Sequence, residues 1–314
     1  MEIISLCYPE QVPENNQEEI VCAIGFFDGV HKGHQKVIQT AQNLAKKQNR
    51  KSAVITFTPH PSVVLQGTKK TVSYLTPLPE KKNILADMGI DILYVITFNK
   101  ALAQLTPSEF IDQFIIKLGI KHLVTGFDFT YGAKGIGNVN TLDKDGNGQF
   151  GVTIVDKLTE NNEKISSTRI RKLIQLGEMT SVKELLGRPL FIRGHVISGA
   201  QRGRKIGYPT ANIEVDSKYA LPKTGVYAVT VKLDNRVIYG MANLGYNPTF
   251  EDDYKIKLEV HLFDFHEDIY GKELILEWQA FTRPEQKFDG IEQLIDQLKQ
   301  DEQEIRHLFG QFEQ

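Results

Sequence analysis

Ile20-Val21-Cys22-Ala23-Ile24-Gly25-Phe26-Phe27-Asp28-Gly29-Val30-His31-Lys32-Gly33-His34 decides the architecture of the first half of this chain. Its first five residues are an unbroken apolar run, the pattern of a strand buried on both faces, and the run stops at a glycine. From His34 onward Val37, Ala41, Leu44 and Ala45 recur at helical spacing. Strand, glycine-bearing turn and amphipathic helix in that order open a parallel sheet covered by helices. The alternation continues outward, with strands expected at 52–57, 92–98 and 122–125. Between the last two, Thr106 is a helix N-cap, Pro107 takes the first turn and Glu109 completes a capping box. Phe110, Phe114, Ile115 and Leu118 then form an apolar face that Gly119 ends. Ligands of such sheets bind beyond the carboxyl ends of the strands, which puts the 25–34 turn in the crevice.

The second half changes period. Across 188–281 short alternating strands are separated by turns: Tyr227, Val229, Val231 and Leu233 alternate with polar neighbours, Asp234-Asn235 turns the chain, and Ile256, Leu258, Val260 and Leu262 alternate again. That reads as a small antiparallel barrel or sandwich. A C-terminal helix follows, with Ile291, Leu294, Ile295, Leu298, Ile305 and Leu308 on its inner face. The boundary falls near Leu186-Gly187, giving domains 1–186 and 187–314, with no internal repeat.

Composition agrees with two cores: 314 residues, 41% apolar, 24% charged, and 37 basic against 39 acidic side chains for a net charge of −2. A near-neutral chain argues against a nucleic-acid or polybasic membrane binder. No run approaches the roughly 18 apolar residues of a membrane span, and Met1-Glu2-Ile3-Ile4 lacks a basic-then-apolar secretion signal, so a cytoplasmic location is expected. Cys7 and Cys22 are too few for a disulfide framework or a zinc site.

In the 25–34 turn, glycines let backbone approach a phosphate, the helix amino terminus adds partial positive charge, and His31 and His34 can donate hydrogen bonds to phosphate oxygens. Two other readings stay open for these histidines: zinc ligands, for which no third and fourth ligand lies nearby, and structural loop or capping residues. The glycines match neither a phosphate loop ending in Gly-Lys-Ser/Thr nor a dinucleotide-binding turn. Asp143-Lys144-Asp145-Gly146-Asn147-Gly148 imitates the start of a calcium loop, but Ile154 stands where its last ligand belongs, and a hairpin turn is expected instead.

The segment resembles the His-x-Gly-His motif of the nucleotidyltransferase superfamily. With its Phe27-Asp28-Gly29-Val30 prefix it is similar to the adenylyltransferase half of bacterial bifunctional riboflavin kinase/FAD synthetases. Thr56-Phe57-Thr58-Pro59-His60-Pro61, Gly126-Phe127-Asp128-Phe129-Thr130-Tyr131-Gly132 and Ile165-Ser166-Ser167-Thr168-Arg169-Ile170-Arg171 follow the same family pattern, all at strand ends or helix starts. The resemblance implies a Rossmann-like nucleotidyltransferase domain that joins FMN to the α-phosphorus of ATP. It assigns Gly25, Phe27, Asp28, Gly29, His31, His34, Ser166, Thr168 and Arg169 to ATP, and Phe57, Pro59, His60 and Asp128 to the flavin. Plain packing competes for Phe57 and Pro59, a turn role for Asp128, and a solvated helix charge for Arg171.

In the second half, Gly187-Arg188-Pro189, Gly194-His195-Val196, Gly199, Gly203-Arg204 and Gly207-Tyr208-Pro209-Thr210-Ala211-Asn212 space glycines before hydroxyl and amide ligands, either an anion site or the turns of a barrel. The stretch is similar to the riboflavin kinase signature and continues through Asn243-Leu244-Gly245-Tyr246-Asn247-Pro248-Thr249-Phe250, Glu259-Val260-His261-Leu262 and Arg283-Pro284-Glu285. By that match the fold is a riboflavin kinase-like β-barrel with a terminal helix. Gly194, Gly199, Gly203, Arg204, Gly207, Pro209, Thr210 and Asn212 would hold ATP, with Thr210 and Asn212 also on Mg2+. Glu259 would be the base for the riboflavin 5′-hydroxyl, with Arg283 and Glu285 near the flavin. Alternation sets Glu259 opposite Leu258 and Val260; a surface pair with Lys257 competes. Leu190, Tyr131 and Leu244 depart from the family pattern without removing a polar group. The resemblance covers essentially the whole chain. It implies a bifunctional enzyme making FMN and then FAD from riboflavin and ATP, with loss of one of the two activities as the alternative.

Overall fold

The computed structural model describes residues 1–11, 18–65, 72–199, 202–247 and 255–312. The chain forms two compact units, Met1–Ser167 and Thr168–Gln314.

The first unit is built on β1 (Glu2–Leu6), β2 (Ile20–Ile24), β3 (Lys51–Thr58), β4 (Ile92–Thr97) and β5 (Ile120–Gly126); a two-stranded ribbon of β6 (Thr130–Tyr131) and β7 (Gly137–Asn138) precedes β8 (Gly151–Val155). Six of these form one parallel sheet in the order β1-β4-β3-β2-β5-β8. The period of two in β2 explains its all-apolar run: Ile20, Cys22 and Ile24 pack on one side with Tyr94, Phe110 and Phe114, while Val21 and Ala23 pack on the other with Val37, Ile38 and Ala41 of α1 (Lys32–Lys47). β2 stands between β3 and β5, so chain order reverses across it. Ile24 lies opposite both Ile55 and Thr125. The segments after Ile24, Ile55 and Thr125 therefore emerge at one edge of the sheet, at the switch point where ligands of such sheets bind.

Two further helices, α2 (Pro61–Leu65) and α3 (Leu78–Asp87), lie between β3 and β4. α4 (Pro107–Ile111) begins with the expected capping box, Thr106 accepting from the Glu109 amide and Glu109 from the Thr106 amide, and runs on as a wide turn over Asp112–Ile116. One expectation fails: Asp143–Gly148 is no hairpin. Residues Leu142–Gly146 form the short α5, whose end is Asn147 in the left-handed conformation, and Asp145 accepts from the Tyr131 hydroxyl. Asp side chains near a helix start and an Asn at its end favour this alternative to a turn. A small hairpin, β9 (Thr159–Glu160) and β10 (Glu163–Lys164), leads to α6 (Ser167–Leu176).

In the second unit α6 is followed by α7 (Met179–Leu186), so the sequence boundary at Leu186-Gly187 and the division after Ser167 bracket this helical pair. β11 (Leu190–Ile197), β12 (Ala211–Val215), β13 (Gly225–Leu233), β14 (Arg236–Asn247), β15 (Lys255–Leu262) and β16 (Glu273–Arg283) close an antiparallel barrel in the order β11-β12-β15-β14-β13-β16. Asp234 and Asn235, both at positive φ, make the two-residue turn between β13 and β14. β13 is buried almost throughout rather than on alternate residues. The barrel interior takes one face, and α8 (Ile291–Phe312) helps cover the other: Ala228 and Met241 pack with Ile305 and Phe309. Ile291, expected on the inner face of α8, is 60% exposed, because the helix meets the barrel only further along. Trp278 and Leu276 are sealed in the barrel core. Replacing Leu276 by Ala is expected to cost about 2–5 kcal/mol, seen as an earlier urea transition in the fluorescence of the chain's single tryptophan.

Candidate active sites

The first site grows from the turn after β2. His31 is the N-cap of α1, its Nδ1 accepting the His34 amide at 3.2 Å. A neutral imidazole that accepts through Nδ1 carries its proton on Nε2. The His31 and His34 rings stack at 3.5 Å between centroids, and Phe27 meets His34 edge-on at 5.3 Å. The Nδ1 of His34 is buried without a hydrogen-bond partner, a donor or acceptor left for something else. Burial holds the His34 imidazole well below its usual range, and the charges of His31, Lys81 and Lys164 push the same way. Phe27, Gly29 and Val30 all have positive φ, a strained turn in which a β-branched residue is an outlier. A Cβ on Gly25 would stand 2.8 Å from the Phe27 ring, so only glycine leaves room for that ring.

Asp28 is buried within the same turn. It is 3% exposed, and its carboxylate accepts the amides of Leu75 and Thr76, tying the turn to the start of α3. Ser167 donates to the Asp28 carbonyl at 2.8 Å, which brings the opening of α6, with Ser166 just before it, to the turn; Thr168 and Arg169 follow in the helix. On the flavin side, His60 caps α2 by accepting the Ser62 amide and meets Phe26 edge-on at 4.6 Å. Phe57 packs against Phe98, and Pro59 follows Thr58 at the end of β3. Asp128, in the turn after β5, is paired with Lys164 at 2.6 Å near the surface.

The second site is a cavity of about 690 Å3 in the barrel unit. Gly199, Gly203, Thr210, Asn212, Glu259, Arg283 and Glu285 all line it. Register puts its central row in place: Asn212 on β12 lies opposite Glu259 on β15, and Glu259 opposite Asn243 on β14. Directly paired residues share a face, so three polar side chains from three strands stand side by side. The competing pairing also exists, Lys257 lying 2.8 Å from Glu259, but both residues line the cavity. Cβ atoms on Gly199 and Gly203 would collide with the Asn212 amide and the Tyr208 carbonyl, and one on Gly245 with the Glu285 carboxylate. These glycines are there for close approach. Arg283 is gripped in fork fashion by Asp301 of α8, at 2.7 and 2.8 Å, with Asp301 1% exposed.

Arg204 and Pro209 line a separate cleft of about 70 Å3 that shares Thr210 with the larger cavity. Gly194 lines neither. It sits in β11, where a Cβ would meet the Glu214 carbonyl at 2.6 Å, so glycine allows the close approach of β12. Gly207 is an exposed turn at φ 84. Pro248, Thr249 and Phe250 lie outside the described residues.

The FAD synthetase family model matches residues 13–169 and the riboflavin kinase model residues 186–309. Bifunctional riboflavin kinase/FMN adenylyltransferases of Listeria monocytogenes and Bacillus subtilis are 47% and 45% identical, covering 100% and 99% of both chains. The chain belongs to the bifunctional riboflavin kinase/FMN adenylyltransferase family. The Escherichia coli relative of the same description is 37% identical over 94% of both chains. A Streptococcus pneumoniae crystal structure described as a macrolide-efflux protein superposes with a TM-score of 0.91 at 35% identity, covering 98% of this chain and 99% of that one. In the present chain no helix among the described residues is long and apolar enough to cross a membrane.

For this member of the riboflavin kinase/FMN adenylyltransferase family, sequence reasoning passed over Lys81, Asn243 and Asp301. Asn243 stood inside a quoted motif and could have been singled out by register with Glu259. Lys81 and Asp301 are charges inside helices, where a solvated face is the ordinary expectation, and only burial distinguishes them. The His34 environment has a measurable consequence. Its folded-state pKa is depressed, so between that value and the unfolded value near 6.5 the unfolded chain binds more protons, and stability rises with pH across the window. The thermal-unfolding midpoint of the first unit is expected to fall as pH drops below about 6.5, and His34→Phe is expected to flatten that slope.

Proposed function

We infer that the chain makes FAD from riboflavin in two ATP-dependent steps, the barrel unit phosphorylating riboflavin to FMN and the sheet unit adenylylating FMN. The observation that carries this reading is that the two motif sets build two separate sites, an imidazole pair at a strand-end turn and an in-register Asn212–Glu259–Asn243 row on a cavity. The functional halves are assigned as 1–186 and 187–314. ATP dependence and the flavin substrates assign the work to the cytoplasm.

In the sheet unit an FMN phosphate oxygen attacks the α-phosphorus of ATP and pyrophosphate leaves. Nucleophile and leaving group are both present in the substrates, so the protein's task is to position them and neutralise charge. With Nδ1 of His31 engaged by the His34 amide, the proton of its neutral ring sits on Nε2 and would be the one offered to phosphate. His34 is kept neutral by its surroundings and serves as a hydrogen-bonding rather than a charged group. Ser166, just before the helix start, would help to hold the triphosphate.

In the barrel the riboflavin 5′-hydroxyl attacks the γ-phosphorus, Glu259 takes the hydroxyl proton, and ADP leaves. A carboxylate suffices because phosphoryl transfer is loose and needs orientation of the hydroxyl more than its full deprotonation. Lys257 on one side and the paired Asn212 and Asn243 on the others leave the carboxylate few orientations.

The residues present suit Mg2+. The Thr210 hydroxyl and the Asn212 amide oxygen are hard neutral donors, and Gly199 leaves the space in which the Asn212 amide lies. When bound, the ion would offset phosphate charge on the transferring group. Chelation is expected to abolish FMN formation and added Mg2+ to restore it, with Asn212→Ala raising the Mg2+ needed for half-maximal rate by about tenfold.

Substitution separates the sites. His31→Ala is expected to lower FAD formation from FMN by about 10²-fold or more while riboflavin phosphorylation proceeds, and Glu259→Ala to do the reverse. Product chromatography reads both, and loss of both activities in either folded variant would break the two-site assignment.

A further inference from the structure

A turn that receives a triphosphate faces an electrostatic problem of its own making. Each of its peptide groups carries an acceptor oxygen with negative partial charge, and a carbonyl turned toward the phosphates repels them as surely as an amide attracts them. In this chain the carbonyls of Phe26, Phe27, Asp28, Val30 and His31 are each taken up by a donor. The Phe27 carbonyl accepts from the Val30 amide at 3.3 Å and the His31 carbonyl from the Gln35 amide at 2.9 Å. The Val30 carbonyl accepts from the Gln35 side chain at 2.8 Å, and the Asp28 carbonyl from the Ser167 hydroxyl at 2.8 Å. The Phe26 carbonyl, the first in the turn, receives two donors from two different elements: the Thr56 hydroxyl of β3 at 2.9 Å and the Lys81 ammonium of α3 at 2.6 Å.

Lys81 is the unusual member of this set. It is 3% exposed, with its ammonium also donating to the Thr56 hydroxyl at 3.0 Å and lying 4.4 Å from the centre of the Phe26 ring. Burial of an ammonium is costly, and here it pushes the group down to about 8. The Asp28 carboxylate, itself buried, opposes that push, so the ammonium is one half of a pair of opposite charges that brackets the turn. The turn also grips α3 from the other direction, since the Asp28 carboxylate accepts the Leu75 and Thr76 amides just before that helix. Phe26 therefore cannot rotate its carbonyl without breaking a charge-assisted bond, and Phe27 next to it is held at φ 53.

We propose that Lys81 is a positioning residue for adenylyl transfer: its buried ammonium anchors the Phe26 carbonyl on the far side of the turn, keeping that acceptor off the ATP phosphates and fixing the turn that carries His31 and His34. The proposal rests on the adenylyltransferase reading of the first unit. Thr56 is the second anchor of the same carbonyl and shares its function. No atom of Lys81 is required to reach ATP.

The test is steady-state kinetics of FAD formation from FMN by the full chain, with ATP and FMN varied separately. Lys81→Met keeps the length of the side chain and removes both charge and donor. The expected result is a fall of about tenfold or more in kcat/KM for ATP, with KM for FMN moving less than about twofold and riboflavin phosphorylation unchanged. Thr56→Val is expected to move the ATP parameters in the same direction by a smaller factor, and Thr56→Ser to recover them, which a role in packing alone would not produce. This second pair decides the matter should Lys81→Met fail to fold. Wild-type ATP kinetics in folded Lys81→Met, or a matching rise in the KM for FMN, would overturn the proposal while leaving the adenylyltransferase reading intact. A wild-type chain that makes no FAD from FMN would instead remove the reading on which the proposal stands.

Discussion

Hydrogen-bond register between neighbouring strands is the constraint on which both sites depend. In the sheet unit Ile24 is fixed opposite Ile55 on one side and Thr125 on the other, so three loops far apart in sequence leave the sheet at one edge. In the barrel Asn212, Glu259 and Asn243 are fixed opposite one another on three strands. A slip of one residue in either place would turn these side chains to the opposite face and dismantle the site. The buried apolar alternation that holds the register, Ile20, Cys22 and Ile24 against Val21 and Ala23, is thus also what makes the chemistry possible.

Both halves handle triphosphates with a polypeptide full of acceptor oxygens, and they meet the problem in related ways. The sheet unit ties up the carbonyls of Phe26, Asp28 and Val30 through Thr56, Lys81, Gln35 and Ser167. The barrel does something similar next to Thr210, where the His261 ring bonds the Pro209 carbonyl at 2.7 Å. Charge is also used to fix the frame. The Arg283–Asp301 fork joins the end of β16 to α8 across the rim of the cavity, and a pair with one member so deeply buried is expensive to break from either side.

Much of this could be read from the chain before any coordinates. The strand–turn–helix at 20–47 declares itself because an apolar run flips to helical period across a glycine turn, and the capping box at Thr106–Glu109 is a local device that needs no tertiary partner. Glu259 was placed by alternation, and its pairing with Lys257 coexists with its place on the cavity. What escaped depends on long-range contact. The Asp28 carboxylate accepts backbone amides 47 and 48 residues away, contacts that no local pattern announces. Asp143–Gly148 carries turn residues that a short helix uses equally well. Gly194 resembles its neighbours in the glycine series, and the nearness of the Glu214 carbonyl is visible only once β11 and β12 are paired. Lys81 and Asp301 read as surface charges until their burial is known.

The central claim is that one chain carries out two chemically different transfers from ATP, of the γ-phosphoryl group to riboflavin and of the adenylyl group to FMN. Following isotopic label from ATP into product tests it directly. With riboflavin as acceptor, label at the γ-phosphorus should enter FMN and persist into FAD. With FMN as acceptor, only label at the α-phosphorus should enter FAD. If γ-label never reached FMN, or α-label never reached FAD, the corresponding half of the account would be wrong.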